Sequence, residues 1–446
     1  MSKPLRVAVF TGTFPSVSET FIARQIAGLL DMGHKVQVYA DLRPGAGSSQ
    51  QSRAAPDGVR VRATYFRIPP ASGYWEMPAF PPWGRAWLPG SAAPIANAKR
   101  LLHALPVAVR CFLFAPRLAR MALDRAEYGY KARSLSTLYR LSQLLRGKGR
   151  YDVAHAHFGP VGDNVRFVRE LWGVPLVVSF HGYDVSAWPR EKSNLVYDKL
   201  FRAADVVTAN SRYTAGRLEA LGCSPHKIHL LHMGLNLATF TFRERTRPAD
   251  GRVTVLSVGR LVEKKGFEYG IRAVARVRER HPGVHYGIVG DGPLRDHLQA
   301  VAEDLGVREA VTFYGAGSGE LVRRKMQEAH VFLVPSVTAS DGDTEGQGLV
   351  LQEAQACGIP VLATNHNGLP EGMLHERSGF LVPERSVEAL AERLAFMIER
   401  PRMWPEWGRA GRKYIEEYYD SQKLSLQLER LYRQAISTYR AAERNR

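Results

Sequence analysis

TEGQGLVLQEA, residues 344 to 354, sets two carboxylates, Glu345 and Glu353, eight positions apart around a glycine turn and the start of an apolar helix. With Gly346 and Gly348 closing a loop and Leu349 opening the helix, Glu345 stands in front of the helix N-terminus and Glu353 lies about two turns inside. A rise of 1.5 Å per residue separates the two by on the order of 12 Å. Between them fall backbone N–H groups at the positive end of a helix dipole, where a diphosphate binds well. Each carboxylate can accept hydrogen bonds from a pair of vicinal hydroxyls. Ribose, two phosphates and a sugar, the parts of a nucleoside diphosphate sugar, follow the same order. Glu-x7-Glu alone would also arise from a surface loop running into a core helix. The glycines on both sides of Gln347, and the strand-like run 359–363 reached through Cys357-Gly358, mark a βα site instead.

Outward from this stretch the pattern repeats. Residues 253–258 read as a strand, followed by Gly259-Arg260-Leu261-Val262-Glu263-Lys264-Lys265-Gly266 and a helix reaching His281. A glycine-containing loop after a strand suits phosphate binding, with Arg260 able to fork onto two oxygens and Lys265 acting as a point charge. Strand 284–289 leads into Gly290-Asp291-Gly292-Pro293, a turn expected to wall the nucleotide pocket; strand 311–314, helix 319–328 and strand 331–334 then bring the chain to the donor stretch. A helix is expected over 387–399 and two more over 404–442. The first half opens the same way: strand 5–10, a loop carrying Gly12 and ending on Ser18 as a helix N-cap, helix 19–31, strand 35–40. Strands 152–158 and 175–180 follow, the second running into His181-Gly182-Tyr183-Asp184, then 205–209, helix 212–221 and strand 228–231. Strand C-terminal ends are where open α/β sheets place ligand groups. His155 and His157 read as packing and hydrogen-bonding histidines, since no acidic partner accompanies them as a metal site would require. Residues 241–252 read as a linker. The chain of 446 residues therefore reads as two parallel, doubly wound α/β domains.

Charge is placed unevenly. Residues 1–240 hold 31 lysines and arginines against 15 acidic residues, and 95–150 alone hold 12 against 2, while the rest of the chain is nearly balanced. Within 95–146, Leu101, Leu102, Leu105, Val109, Phe112 and Leu113 form an apolar stripe among Lys99, Arg100, Arg110, Arg117 and Arg120. That composition fits a peripheral amphipathic element drawn to anionic lipid, and also a solvated face over a core helix. No nucleic-acid motif accompanies the basic patch, so no nucleic-acid partner is expected. Residues 43–58 read as an exposed loop. The Pro- and aromatic-rich run 69–94 reads as a surface loop or an acceptor-side segment touching membrane. Cys111, Cys223 and Cys357 lie far apart without metal spacing, which points to a reducing cytoplasm. The opening apolar run breaks at Thr11-Gly12-Thr13, so it reads as a strand and not as a signal peptide; no run of 18 apolar residues predicts a membrane span.

The run EGQGLVLQEAQACGIPVLATNHNGLPE, residues 345 to 371, resembles the donor-site signature of family 4 retaining glycosyltransferases, and TGTFPSVSETFI near the start resembles the bacterial exopolysaccharide branch of that family, of the colanic-acid and amylovoran type. The resemblance covers most of the chain. It implies the GT-B fold: two Rossmann-like domains facing a cleft, an acceptor domain over 1–240 and a nucleotide-sugar domain over 241–420, with a last helix from about 421 to 446 crossing back to the first. It implies transfer of a sugar from a UDP- or GDP-sugar to a lipid-linked oligosaccharide acceptor on the inner face of the cell membrane, with retention by same-face attack and no metal or other cofactor. By resemblance Arg260 and Lys265 match the diphosphate pair, and His181 the histidine beside the transferred sugar. Glu345 orients that sugar, Glu353 holds the ribose, and Gly12, Gly259, Gly290, Gly346, Gln347, Gly348 and Leu349 line the donor site. His157 and Asp184 are expected to contact the acceptor. Asp341-Gly342-Asp343 resembles the Asp-x-Asp metal motif of a different glycosyltransferase fold, and the basic phosphate ligands make a metal unnecessary. Where many members carry a Gly-Gly pair in the first loop, this chain has Ser18-Glu19-Thr20-Phe21. Two rival readings remain: a nucleotide-sugar epimerase of the same fold, and a non-catalytic basic membrane or nucleic-acid binder.

Overall fold

Apolar runs that are unbroken in sequence become strands buried on both faces, as parallel sheets covered by helices require. A computed structural model describes residues 3–16, 19–43, 63–68 and 98–445. Strand β1 (Arg6–Thr13) is followed by helix α1 (Thr20–Asp31), β2 (Lys35–Leu42) and the short β3 (Ala63–Tyr65). Helices α2 (Ala98–Phe114), α3 (Pro116–Leu123) and α4 (Ser136–Leu144) follow, then β4 (Val153–His157), β5 (Leu176–Phe180), β6 (Val206–Ala209), α5 (Arg212–Ala220) and β7 (Ile228–Leu230). All pair in parallel, in the order β3-β2-β1-β4-β5-β6-β7. A second parallel sheet, β10-β9-β8-β11-β12-β13, is built from β8 (Val253–Val258), α6 (Phe267–Arg278), β9 (Val284–Val289), β10 (Val311–Phe313), β11 (Val331–Val334), α7 (Leu349–Ala356), β12 (Val361–Thr364), β13 (Gly379–Val382) and α8 (Val387–Ile398). Helices α9 (Trp404–Tyr418) and α10 (Ser421–Arg444) complete the described chain.

The strand order reverses between β1 and β4 in the first sheet and between β8 and β11 in the second. Those reversals open crevices at the strand C-terminal ends, the usual ligand position in open α/β sheets. Helix α10 packs Leu428, Tyr432, Ala435 and Ile436 into the core of the first domain although it follows the second in sequence. Its start is tied to the crossing segment by a bridge between Leu235 and Asp420.

Several expectations change here. Strand β1 runs on through Gly12, because Thr13 still pairs with Leu42, so Gly12 ends a strand and is buried instead of lying in a loop. Of the two readings of α2, its apolar stripe takes the outward orientation that a peripheral amphipathic element requires and a core helix does not: Leu102, Leu105 and Leu113 are 73%, 66% and 73% exposed. The helix packs instead through its small residues, Ala104 and Cys111. The proposed Ser18 cap, residues 44–58 and residues 69–94 lie outside the described residues. Among the described residues no helix is long and apolar enough to cross a membrane.

Candidate functional site

The two crevices face each other, and the backbone around them is built by close approach. In the second domain the loops after β8 and β9 lie backbone on backbone: Gly259 N–H donates to the Val289 carbonyl at 3.0 Å and Leu261 N–H to the Asp291 carbonyl at 2.9 Å. A Cβ on Gly290, whose φ is +155°, would fall 1.7 Å from the Gly259 oxygen, so glycine is required there. Gly348 is the left-handed residue before α7, at φ +75°, and no side chain caps the helix. Leu349 thus opens the helix with its N-terminal backbone uncapped by side chains, as an anion site needs.

Glu345 sits in front of this terminus, 8% exposed, and is held from several sides. Lys265 Nζ is 3.0 Å and Lys264 Nζ 3.8 Å from its Oε1. Its own N–H donates to His366 Nε2 at 3.2 Å, which leaves the His366 proton on Nδ1, 3.0 Å from Glu384 Oε1. Burial would raise the Glu345 pKa, but the two lysines and His366 outweigh it and pull it down to about 2. Lys265, expected as a phosphate ligand, therefore meets the Glu345 carboxylate directly. Lys264 also pairs with Asp343 at 3.0 Å, so the second acid of the Asp-x-Asp run is engaged by a lysine. Arg260 is exposed after β8.

Across the cleft, His181 follows β5. Its backbone N–H and that of Gly182 donate to Asp184 Oδ1, both at 2.9 Å, while Gly159 N–H donates to Oδ2 at 3.2 Å. Asp184 is wholly buried, and burial raises its pKa to about 6 against those three backbone donors. It shapes the loop that carries His181, with both carboxylate oxygens already engaged by backbone donors, in place of the acceptor contact expected of it. His157 is similarly enclosed: its Nδ1 lies 3.2 Å from His181 Nε2 with the rings stacked, and burial lowers its pKa to about 3. Its place is enclosed against His181, in place of the acceptor contact expected of it. Burial also pushes His181 well below the ordinary imidazole range, so both rings are neutral at pH 7 and one must donate to the other. The chain of contacts continues through His155, whose Nδ1 is 2.6 Å from the Tyr432 hydroxyl of α10 and whose Nε2 is 2.7 Å from Ser179 Oγ.

The domains meet at these same residues. The His181 carbonyl would lie 2.2 Å from a Cβ on Gly346, so only glycine allows that approach. Gln347 spends its side-chain amide on the backbone of Met233, accepting from its N–H at 2.7 Å and donating to its carbonyl at 3.0 Å. It positions the donor loop through the crossing segment. Glu353, 9% exposed on α7, accepts from both terminal nitrogens of Arg24 of α1 at 3.3 Å. The loops that carry the expected residues thus meet across one cleft; Gly12 lies at the C-terminal end of β1, and Asp184 and His157 are enclosed behind the His181 loop.

Four participants carry no sequence motif of their own. Phe21 sets its ring 4.6 Å from that of His181. Arg24 and Lys264 hold the two glutamates. Glu19, in the Ser18-Glu19-Thr20-Phe21 run that replaces a Gly-Gly pair, encloses Oε2 without a hydrogen-bond partner; burial raises its pKa to about 7, with Arg260 opposing. The departure from Gly-Gly was the available signal, since a carboxylate there introduces charge where the usual residues have none.

The family model described as "Glycosyl transferases group 1" matches residues 239–414, and "Glycosyltransferase Family 4" matches 95–239. The chain is 32% identical over 431 residues to the "Putative colanic acid biosynthesis glycosyltransferase WcaL" of Escherichia coli (strain K12), covering 95% of this chain and 98% of that protein. It is 30% identical over 392 residues to the "Amylovoran biosynthesis glycosyltransferase AmsK" of Erwinia amylovora, covering 87% and 89%. Anabaena Alr3699/HepE, solved in complex with UDP and glucose, superposes with TM-score 0.65 at 17% identity over 96% of this chain and 99% of that one. Sucrose-phosphate synthase from Thermosynechococcus elongatus gives 0.66 at 20%, over 97% and 100%. These likenesses show the two-domain GT-B fold over nearly the whole chain, and with the relatives of matching length they place the sequence: it belongs to the family 4 glycosyltransferases.

Proposed function

We propose that this glycosyltransferase transfers a sugar, with retention, from a UDP- or GDP-sugar to a lipid-linked oligosaccharide during exopolysaccharide biosynthesis, without a metal ion. The observation that carries the reading is Glu345, ionised between Lys264 and Lys265 at the mouth of α7. Arg260, Lys265 and the backbone around Gly348 and Leu349 stabilise charge developing on the leaving diphosphate, the role a metal fills in other transferases. Glu345 orients the transferred sugar and its negative charge favours an oxocarbenium-like centre. His181 stands beside that sugar as a neutral imidazole, steadied by His157, and Glu353 holds the ribose. Support for the pathway comes from relatives whose names carry colanic acid and amylovoran biosynthesis.

The acceptor side includes the membrane. Leu101, Leu102, Leu105, Val109, Leu113 and Phe114 of α2 are each more than half exposed, beside exposed Arg110, Arg117 and Arg120. An outward apolar face rimmed by cations suits an anionic lipid surface, which would bring the cleft to a lipid-linked acceptor on the inner leaflet.

The test is transfer from radiolabelled UDP- and GDP-sugars to polyprenyl-diphosphate-linked sugar acceptors, with and without EDTA, followed by determination of the anomeric configuration. Acceptor-dependent product of unchanged anomeric configuration, formed equally in EDTA, is expected. Conversion of the sugar nucleotide without acceptor would favour an epimerase. No binding of either nucleotide would favour a non-catalytic protein.

A further inference from the structure

Arg24 lies on the acceptor domain, yet both of its terminal nitrogens contact Glu353 Oε1 of the donor domain at 3.3 Å. The pair is enclosed, with side-chain exposures of 10% for Arg24 and 12% for Glu353. The guanidinium also lies 5.7 Å from the ring centroid of Phe240, a buried residue of the crossing segment that packs against the core of the second domain. One first-domain side chain therefore reaches a carboxylate of the second domain and closes on it.

Its placement is over-determined. Helix α1 buries Ile22, Ala23, Ile26 and Leu29 against the first sheet. On its other side a Cβ at Gly28 would lie 2.1 Å from Ser425 Oγ, so α1 and α10 approach as closely as glycine permits. The backbone bearing Arg24 is thus fixed by the helix that itself crosses between domains. An enclosed carboxylate stays ionised only where a cation or several donors face it. A carboxylate offers about four lone-pair sites, so two guanidinium contacts on one oxygen are compatible with further hydroxyl donors to the same group.

We infer that Arg24 is a positioning residue for donor recognition: reaching across the cleft, it fixes the direction of Glu353, so that the ribose is gripped only when the domains are closed. The inference rests on Glu353 being the ribose ligand. A nucleoside diphosphate would then bind to an arrangement supplied by both domains, and a loosened cleft would hold it poorly although every donor-domain residue remained in place.

The test is a double-mutant cycle on the full chain: wild type, Arg24→Ala, Glu353→Ala and the double variant, titrated calorimetrically with UDP and with GDP. Arg24→Lys and Arg24→Gln are carried alongside, and melting temperatures confirm that each folds. For the nucleotide that binds wild type, Glu353→Ala is expected to raise Kd about tenfold or more, Arg24→Ala to raise it about fivefold to tenfold, and the double variant to match Glu353→Ala. Arg24→Lys recovers part of the loss, Arg24→Gln less. In sugar transfer, Arg24→Ala should raise the donor KM more than it lowers kcat. A Kd for Arg24→Ala within twofold of wild type, beside a large effect of Glu353→Ala, would overturn the inference and leave the proposed function intact. So would losses that multiply in the double variant, since Arg24 would then act elsewhere. If Glu353→Ala leaves Kd unchanged, or neither nucleotide binds wild type, the ribose assignment falls and the inference with it.

Discussion

Glu345 and Glu19 face each other's chemistry with opposite electrostatics, and each makes a prediction with its own sign. Glu345 has its pKa pulled to about 2 by Lys265, Lys264 and His366 against the cost of burial. Its pairing therefore adds stability above the ordinary carboxyl range near 4.5, and that stability is lost as pH falls from about 4.5 toward 2. Glu19 is the reverse case. Burial raises it to about 7, so the folded state holds a proton that the unfolded chain has released, and stability declines as pH rises from about 4.5 to 7. Melting temperature followed against pH should accordingly rise more between pH 5 and 7.5 for Glu19→Gln than for wild type, and a parallel pair of curves would remove the Glu19 assignment. Glu345→Ala is expected to lower transfer by about 10²-fold or more, the scale of losing a transition-state electrostatic contact, while nucleotide binding changes only a few-fold. Glu353→Ala should do the opposite and act mainly on donor binding. Equal, small effects from both would sink the division of roles. Glu345 and Glu353 were legible because glycines and an apolar helix frame them within a dozen residues. Their pairing with cations was not, since Lys265, legible only as a phosphate ligand, lies 80 positions before Glu345 and Arg24 lies 329 before Glu353. His157 and Asp184 were found by position at strand ends, yet that position does not say whether a side chain points into the cleft or braces the loop from behind.

Helix α2 shows how one stripe supports two readings that differ only in which way it faces. The stripe of Leu101, Leu102, Leu105, Val109, Phe112 and Leu113 has helical spacing, and spacing alone would turn it toward a core. The structure instead buries Ala104 and Cys111, whose small side chains let α2 approach α4 closely enough for Cys111 Sγ to lie 3.7 Å from the Leu138 carbonyl. The larger apolar face is left outside. Leu102→Glu combined with Leu113→Glu should leave the melting temperature within a degree or two, because neither side chain packs on the core. It should abolish co-flotation with vesicles rich in anionic phospholipid, and wild type should float with these but weakly with neutral ones. Equal flotation of the variant would place lipid contact elsewhere; a collapse of its melting temperature would show that the face is packed in solution. Other strands were legible from continuous apolar runs such as 331–334. Strands β3 and β13 were not, because Ala63–Tyr65 is three residues and Gly379–Val382 four opening on a glycine, too short to stand out before their pairing with β2 and β12 is seen.

At the scale of the whole molecule, cleft closure rests on a few polar contacts on either side of the donor loop. Gln347 grips the Met233 backbone, Arg24 meets Glu353, and Glu371 accepts from the N–H groups of Arg212 and Tyr213 at 2.8 and 3.1 Å, capping α5 of the first domain from the second. Glu371 is itself held, because its carbonyl accepts from the hydroxyls of Tyr414 and Tyr419, both at 2.8 Å, beside the crossing into α10. A carboxylate at a helix N-terminus satisfies two donors that have no partner within the helix and complements the dipole. Its removal should cost about 1–2 kcal/mol, near the upper range for a lost cap because two contacts go at once. The loss falls on the closed arrangement more than on either domain, since each sheet keeps its own core. Glu371→Ala should therefore enlarge the radius of gyration seen by small-angle X-ray scattering. In turnover, water would enter a cleft that closes less completely, and hydrolysis of the sugar nucleotide without acceptor should rise relative to transfer. Glu371→Gln, which retains one acceptor oxygen, should fall between the two. If the radius is unchanged while the melting temperature drops, Glu371 caps α5 without governing closure, and the hold on the cleft passes to Gln347 and the Arg24–Glu353 pair.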